Sequence, residues 1–122
     1  MLLENGAMAM LMLSAAEKTT PGDYFGLGKR IHEIKEGYGG SLRIDVKRNA
    51  CGYYSPSLDS FVGVFEIAGE VGSRDTLELN EDGVKSCEDI IKYACSIYPE
   101  DMKKIAEVMG FDLKEHCMKA AD

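Results

Sequence analysis

Apolar and polar positions divide the chain into stretches of different rhythm. From residue 1 to 16, twelve of the sixteen side chains are apolar and Glu4 is the only charge. A helix that is apolar on every side is one that is buried on every side. This helix therefore either runs through the centre of the fold or is covered by a partner, with Met8, Leu11 and Met12 as candidate contact residues. Thr20 and Pro21 suit a cap and a first helical position. A second helix to about residue 36 follows, because Tyr24, Leu27, Ile31, Ile34 and Tyr38 recur at three- and four-residue steps. Gly37, Gly39 and Gly40 end it.

From 41 to 80 the rhythm shortens to two, and the fold is expected to centre on a small sheet there. Leu42, Ile44 and Val46 alternate with Arg43, Asp45 and Lys47, as in a half-buried strand. The run 61–68 is rich in Phe, Val and Ile. It can be read as a helix with Phe61, Val64, Phe65 and Ala68 on one face, but its composition and interrupting glycines favour a second strand. Residues 69–75 would then form a hairpin connection and 76–79 a third strand. The longest loop, 49–59, holds Cys51, Tyr53 and Tyr54. Beyond Gly83 the rhythm is helical again, with Cys87, Ile90, Ile91, Ala94 and Cys95 on one stripe. Pro99 opens a fresh helix that Gly110 stops, and Asp112 begins a last short one. The expected fold is one α+β domain over 1–122. A three-stranded antiparallel sheet is flanked by two N-terminal and three C-terminal helices, in the order ααβββααα.

Composition changes this picture little. Of 122 residues, 45% are hydrophobic and 29% charged, which suits a globular chain and excludes disorder. No apolar run approaches the roughly 20 residues that a membrane span needs. The net charge of −7 is uneven: residues 1–58 carry seven basic against six acidic side chains, and 59–122 carry seven against fifteen. Phosphate binding needs clustered Lys and Arg, so a nucleic-acid partner is not expected. The apolar start lacks the preceding positive charge of a secretory signal. Cys51, Cys87, Cys95 and Cys117 show no C-x-x-C spacing, and three of them fall on apolar helical stripes. Reduced thiols and a cytoplasmic location are the expectation.

Several patterns approach a chemical motif and fail. Gly22 to Arg30 has the wrong spacing for a phosphate loop and lacks the Ser or Thr that would bind magnesium. Glycines that admit close helix packing explain it better. Residues 78–89 place Glu78, Asn80, Asp82, Gly83, Ser86 and Asp89 near calcium-loop positions, but Lys85 stands where an apolar residue belongs. Residues 104–112 resemble the turn region of helix-turn-helix proteins, yet the surrounding helices are too acidic for a phosphate backbone. His32 and His116 lack metal-ligand spacing to any cysteine. No metal and no cofactor is expected.

Tyr53 and Tyr54 remain as the best binding candidates, since a rigid aromatic bearing a hydroxyl supplies contact area and a hydrogen bond together. Cys51 lies beside them. The function expected is a non-catalytic protein-interaction or regulatory module that binds another protein or itself as a homodimer. The first alternative is a sensor of small apolar ligands, with a pocket between sheet and helices near Phe61 or Phe65. A cysteine-dependent enzyme using Cys51 and an acidic DNA-binding protein come after it.

Overall fold

The computed structural model of the chain describes residues 2–17, 26–39, 42–50, 52–72 and 77–116. The elements are α1 (Leu2–Glu17), α2 (Gly26–Tyr38), β1 (Lys47–Asn49), β2 (Gly52–Tyr54), α3 (Pro56–Ile67), α4 (Glu81–Ile97), α5 (Pro99–Met109) and the single turn α6 (Leu113–His116). The α+β class and the antiparallel pairing agree with the sequence pattern, but the layout differs.

Helix α1 is central. Ala9, Met10 and Met12 are wholly buried, and Leu11 and Leu13 nearly so. It packs chiefly on α4, then on α5 and α3. Gly6 makes the closest approach: a Cβ there would lie 2.7 Å from Ala94 Cβ and 2.9 Å from Met102 Sδ. Among the described residues, Glu4 is the one charged side chain carried inside, and its Oε2 accepts a hydrogen bond from Arg43 N at 3.0 Å. A buried carboxylate without such a partner would cost several kcal/mol, roughly.

Over residues 42–46 the predicted first strand joins no sheet among the described residues; its last residue, Lys47, opens β1. Its alternation is present: Leu42 and Ile44 are buried while Arg43 and Asp45 are exposed. Side chains satisfy its backbone instead. Arg43 N donates to Glu4, Asp45 N donates to Ser57 Oγ at 3.3 Å, and Ile44 O accepts from Lys35 Nζ at 2.7 Å. The helices α1, α3 and α2 thus do the work of neighbouring strands.

The second predicted strand is the helix α3. Ser55 caps it, its Oγ accepting from Leu58 N at 3.1 Å, and Pro56 occupies the first turn. Both favour helix initiation. The buried face is Leu58, Val62 and Phe65, with Phe61 against Phe65. Val64, placed inward by the alternative helical reading, points out at 65% exposure. The third predicted strand reduces to one antiparallel bridge, Val71 to Leu79, reinforced by Gly72 N donating to Glu78 O at 3.0 Å. Thr76 lies outside the described residues.

The sheet that does form joins the end of the predicted first strand to the first half of the predicted loop. It has two antiparallel strands, pairing Lys47 with Tyr54, Arg48 with Tyr53 and Asn49 with Gly52. The C-terminal helices follow the pattern read from the sequence. Asn80 caps α4 by accepting from Gly83 N at 2.9 Å. Gly110 ends α5 in the left-handed conformation at φ 71°, and Phe111 N closes the turn onto Ala106 O at 2.9 Å. Of the described helices, none is long and apolar enough to cross a membrane.

Candidate functional site: the hairpin and helix α2

Helix α2 is held in place by three long side chains. Arg30 Nη2 donates to Met109 O at 3.2 Å, setting a cation on the negative end of α5. Lys35 reaches the extended segment at Ile44. Tyr38 Oη donates to Asp101 Oδ1 at 2.6 Å. That hydrogen bond, then burial and the charges of Asp101 and Glu4, push the Tyr38 phenol up to about 12. Such a phenol is a fixed donor and not an acid for catalysis near neutral pH.

So anchored, α2 packs against β2 of the hairpin. A Cβ at Gly28 would meet Tyr53 O at 2.5 Å, so only glycine lets the two backbones approach this closely. The glycine pattern of 22–30 therefore has a packing role at Gly28; Gly22 lies outside the described residues. His32 stacks on Tyr53, with ring centroids 4.6 Å apart and planes at 19°. The Arg48 guanidinium stands 5.7 Å from the same ring centre. His32 Nε2 lies 3.3 Å from Glu36 Oε1, one helical turn on. Tyr53 is thereby fixed by α2 below and Arg48 beside it.

The structure separates the candidate residues. Tyr53 and Tyr54 sit on β2, not in a loop. Tyr53 is half-buried in the stack, whereas Tyr54 is 43% exposed. Cys51 lies outside the described residues. Met8, Leu11 and Met12 are far inside, at 4%, 2% and 0% exposure, covered by the chain's own helices. These three candidate contact residues of α1 are therefore not at the surface. His32, Lys47 and Arg48 were missed as members of the site. Lys47 closes the alternating run and Arg48 follows it, and carrying that run through a tight turn into 52–54 would have paired them with the tyrosines.

The remaining motifs have structural uses. Asn80 caps α4 and its Nδ2 donates to Gly69 O at 2.7 Å, while Ser86 Oγ donates to Glu70 Oε1 at 2.9 Å. Among the described residues, no group of three His, Cys, Asp or Glu side chains is placed to hold a metal ion. Cys87 and Cys95 are free thiols. Burial chiefly, with the charges of Glu70 and Glu88, pushes the Cys87 thiol up to about 12, and burial raises Cys95 as well. Neither is an activated nucleophile. A groove of about 270 Å³ lies between α5 and α6, lined by Phe111, Leu113 and the charged Lys103, Glu107 and Lys114. It touches neither the tyrosines nor Phe61 and Phe65, where the sensor alternative placed its pocket.

The surface that the geometry defines is thus a fixed aromatic stack edged by cations on a short antiparallel hairpin. No protein-family model matches the chain, and no curated protein or solved structure matches it either.

Proposed function

We propose that the chain is a non-catalytic interaction module whose contact face is the β1–β2 hairpin together with the adjoining side of α2. The supporting observation is the fixing of Tyr53 by His32, Arg48 and the Gly28 contact, which leaves Tyr54 as an exposed aromatic on a pre-ordered surface. Rigid aromatic anchors contribute strongly to binding because little conformational freedom is lost when they dock. Self-association through Met8, Leu11 and Met12 is not part of this reading, since the chain buries them itself. The partner is another protein, and the compartment is the cytoplasm.

The test is cross-linking of the full chain in its host followed by mass spectrometry that maps the linked residues. Links are expected at Lys47 on the hairpin and at the exposed Lys29 next to Gly28 in the sequence. They should fall at least several-fold in Tyr54→Ala and stay unchanged in Ile67→Ser, which alters a side chain 92% exposed on α3. Links that cluster on α3 or α4 and ignore Tyr54 would sink the proposal.

A further inference from the structure

Helix α4 carries a second stripe beside the one that packs on α1. Gly83, Ser86, Ile90, Tyr93 and Ile97 recur at alternating steps of three and four, and so share one side of the helix. The chain itself covers the first half of this side. A Cβ at Gly83 would meet Glu70 O at 2.7 Å, and Ser86 Oγ donates to Glu70 Oε1 at 2.9 Å. Further on, Ile90 still packs against the core, but Tyr93 is 56% exposed, and Ile97 and the adjoining Tyr98 are exposed too. We infer that this end of α4 docks a cationic amphipathic helix of a partner protein. The inference stands apart from the hairpin face and adds a second contact surface.

The spacing selects a helix. Apolar side chains at alternating steps of three and four are the seam that one helix offers another. A strand would find no ladder to join on a helix, whereas a helix packs its own ridges between these side chains. Tyr93 and Tyr98 supply the large aromatic area on which contact energy concentrates.

Charge selects a cation. Asp89 stands one turn before Tyr93. The last turn of α4 has no basic residue to offset the negative end of its dipole, and Glu100 and Asp101 make the first turn of α5 acidic. The positive start of α5 is worth about half a charge, against those two carboxylates. Lys103 Nζ comes to 4.0 Å from Glu100 Oε1, but both side chains are exposed and such a pair is weak in water. Lys85 and Lys92 lie roughly a quarter-turn or more round the helix from Tyr93. Lysines on the occupant therefore meet opposite charge. A second copy setting the same end against itself would bring these carboxylates together, and a nucleic acid would meet the same repulsion.

The experiment follows backbone amide shifts of the isotopically labelled full chain. Three peptides of about eighteen residues, long enough to hold a helix, are added in turn. One has Leu along one face and Lys elsewhere, one has the same composition with Leu scattered round the helix, and one has Glu for Lys. The first is expected to give saturable shifts concentrated at Tyr93, Ser96 and Ile97. Tyr93→Ser/Ile97→Ser should weaken it by about tenfold or more, with an unchanged urea melt because both side chains are exposed. Asp89→Asn/Glu100→Gln, a change of charge alone, should weaken it several-fold. Val64→Ser/Ile67→Ser, which strips exposed apolar side chains from α3, should leave binding as it is, and so should Tyr54→Ala on the hairpin. Undiminished binding in either of the first two variants overturns the inference. So does equal binding of the scattered or the Glu peptide, absence of binding by all three, or shifts centred on another element. Concentration-dependent shifts of the same amides without peptide would make the occupant a second copy, and also overturn it.

Discussion

Two titrating side chains carry the sharpest expectations at the scale of single residues. Tyr38 ionises at about 12 in the folded chain because its proton is held by Asp101 beside further negative charge. An unfolded tyrosine ionises near 10, roughly. Ionisation is thus harder in the folded state. The stability Tyr38 contributes is complete below about pH 10 and is lost as pH rises toward about 12. Tyr38→Phe should flatten the fall of stability across that window, seen as parallel urea midpoints at increasing pH, and the high-pH step should vanish from the tyrosine absorbance titration. Equal slopes in parent and variant would mean that the Asp101 hydrogen bond does not persist in solution. Cys87 loses its contribution in the same direction over a window opening near pH 9, roughly, so the comparison must be made against the parent and not against theory. Burial also predicts that Cys87 resists alkylation in a brief pulse at neutral pH, as judged by mass spectrometry of its peptide, and labels fully in denaturant. Half-buried Cys95 should label at an intermediate rate.

Elements depend on caps as much as on periodicity, and α3 shows it. Ser55→Ala removes the acceptor for Leu58 N at a buried position and should cost about 1 kcal/mol. Val62→Ala, on the buried face, should cost about 2 kcal/mol. The exposed Val64→Ala should change little, and urea melts rank the three. Equal losses at Val62 and Val64, which a period of two puts on one face, would restore the strand reading of this segment. That reading failed for a definite reason. Phe, Val and Ile in 61–67 carry strand propensity, but propensity is weak beside a Ser-Pro start and a fold that offers a helix-shaped surface to Leu58, Val62 and Phe65. The extended segment 42–46 was legible in its alternation and misread in its pairing. Nothing in Leu42 to Val46 says that the groups facing its backbone are Glu4, Ser57 and Lys35, which arrive from three distant helices. The hairpin was hidden for the opposite reason. Its strands are three residues each, too short for a period to register, and the turn residues that looked like a long loop are the hairpin's own. Within the site, Tyr53 and Tyr54 were legible from residue type. The His32 stack was not, because it joins residues 21 positions apart in sequence.

Across the whole molecule the deciding feature is where α1 sits. Its sequence allowed two arrangements, a central helix or one that shares its far side with another copy. The structure wraps it with α4, α5, α3 and the Leu42–Ile44 segment, leaving Leu11 at 2% exposure within one chain. The two arrangements respond differently to a charge. At an interface between copies, Leu11→Asp would break the pairing and leave a folded, soluble protomer. In a centre of this kind it forces a carboxylate into the apolar core. Such a burial costs several kcal/mol, roughly, and a domain of this size has a total stability of about 5–15 kcal/mol. The expected result is therefore loss of the cooperative melt and of dispersed amide resonances, not release of a monomer. The parent chain should sediment without any dimer that depends on α1. A Leu11→Asp protein that stays folded at 13.4 kDa while the parent runs at twice that mass would place α1 at an interface and dismantle the packing described for it.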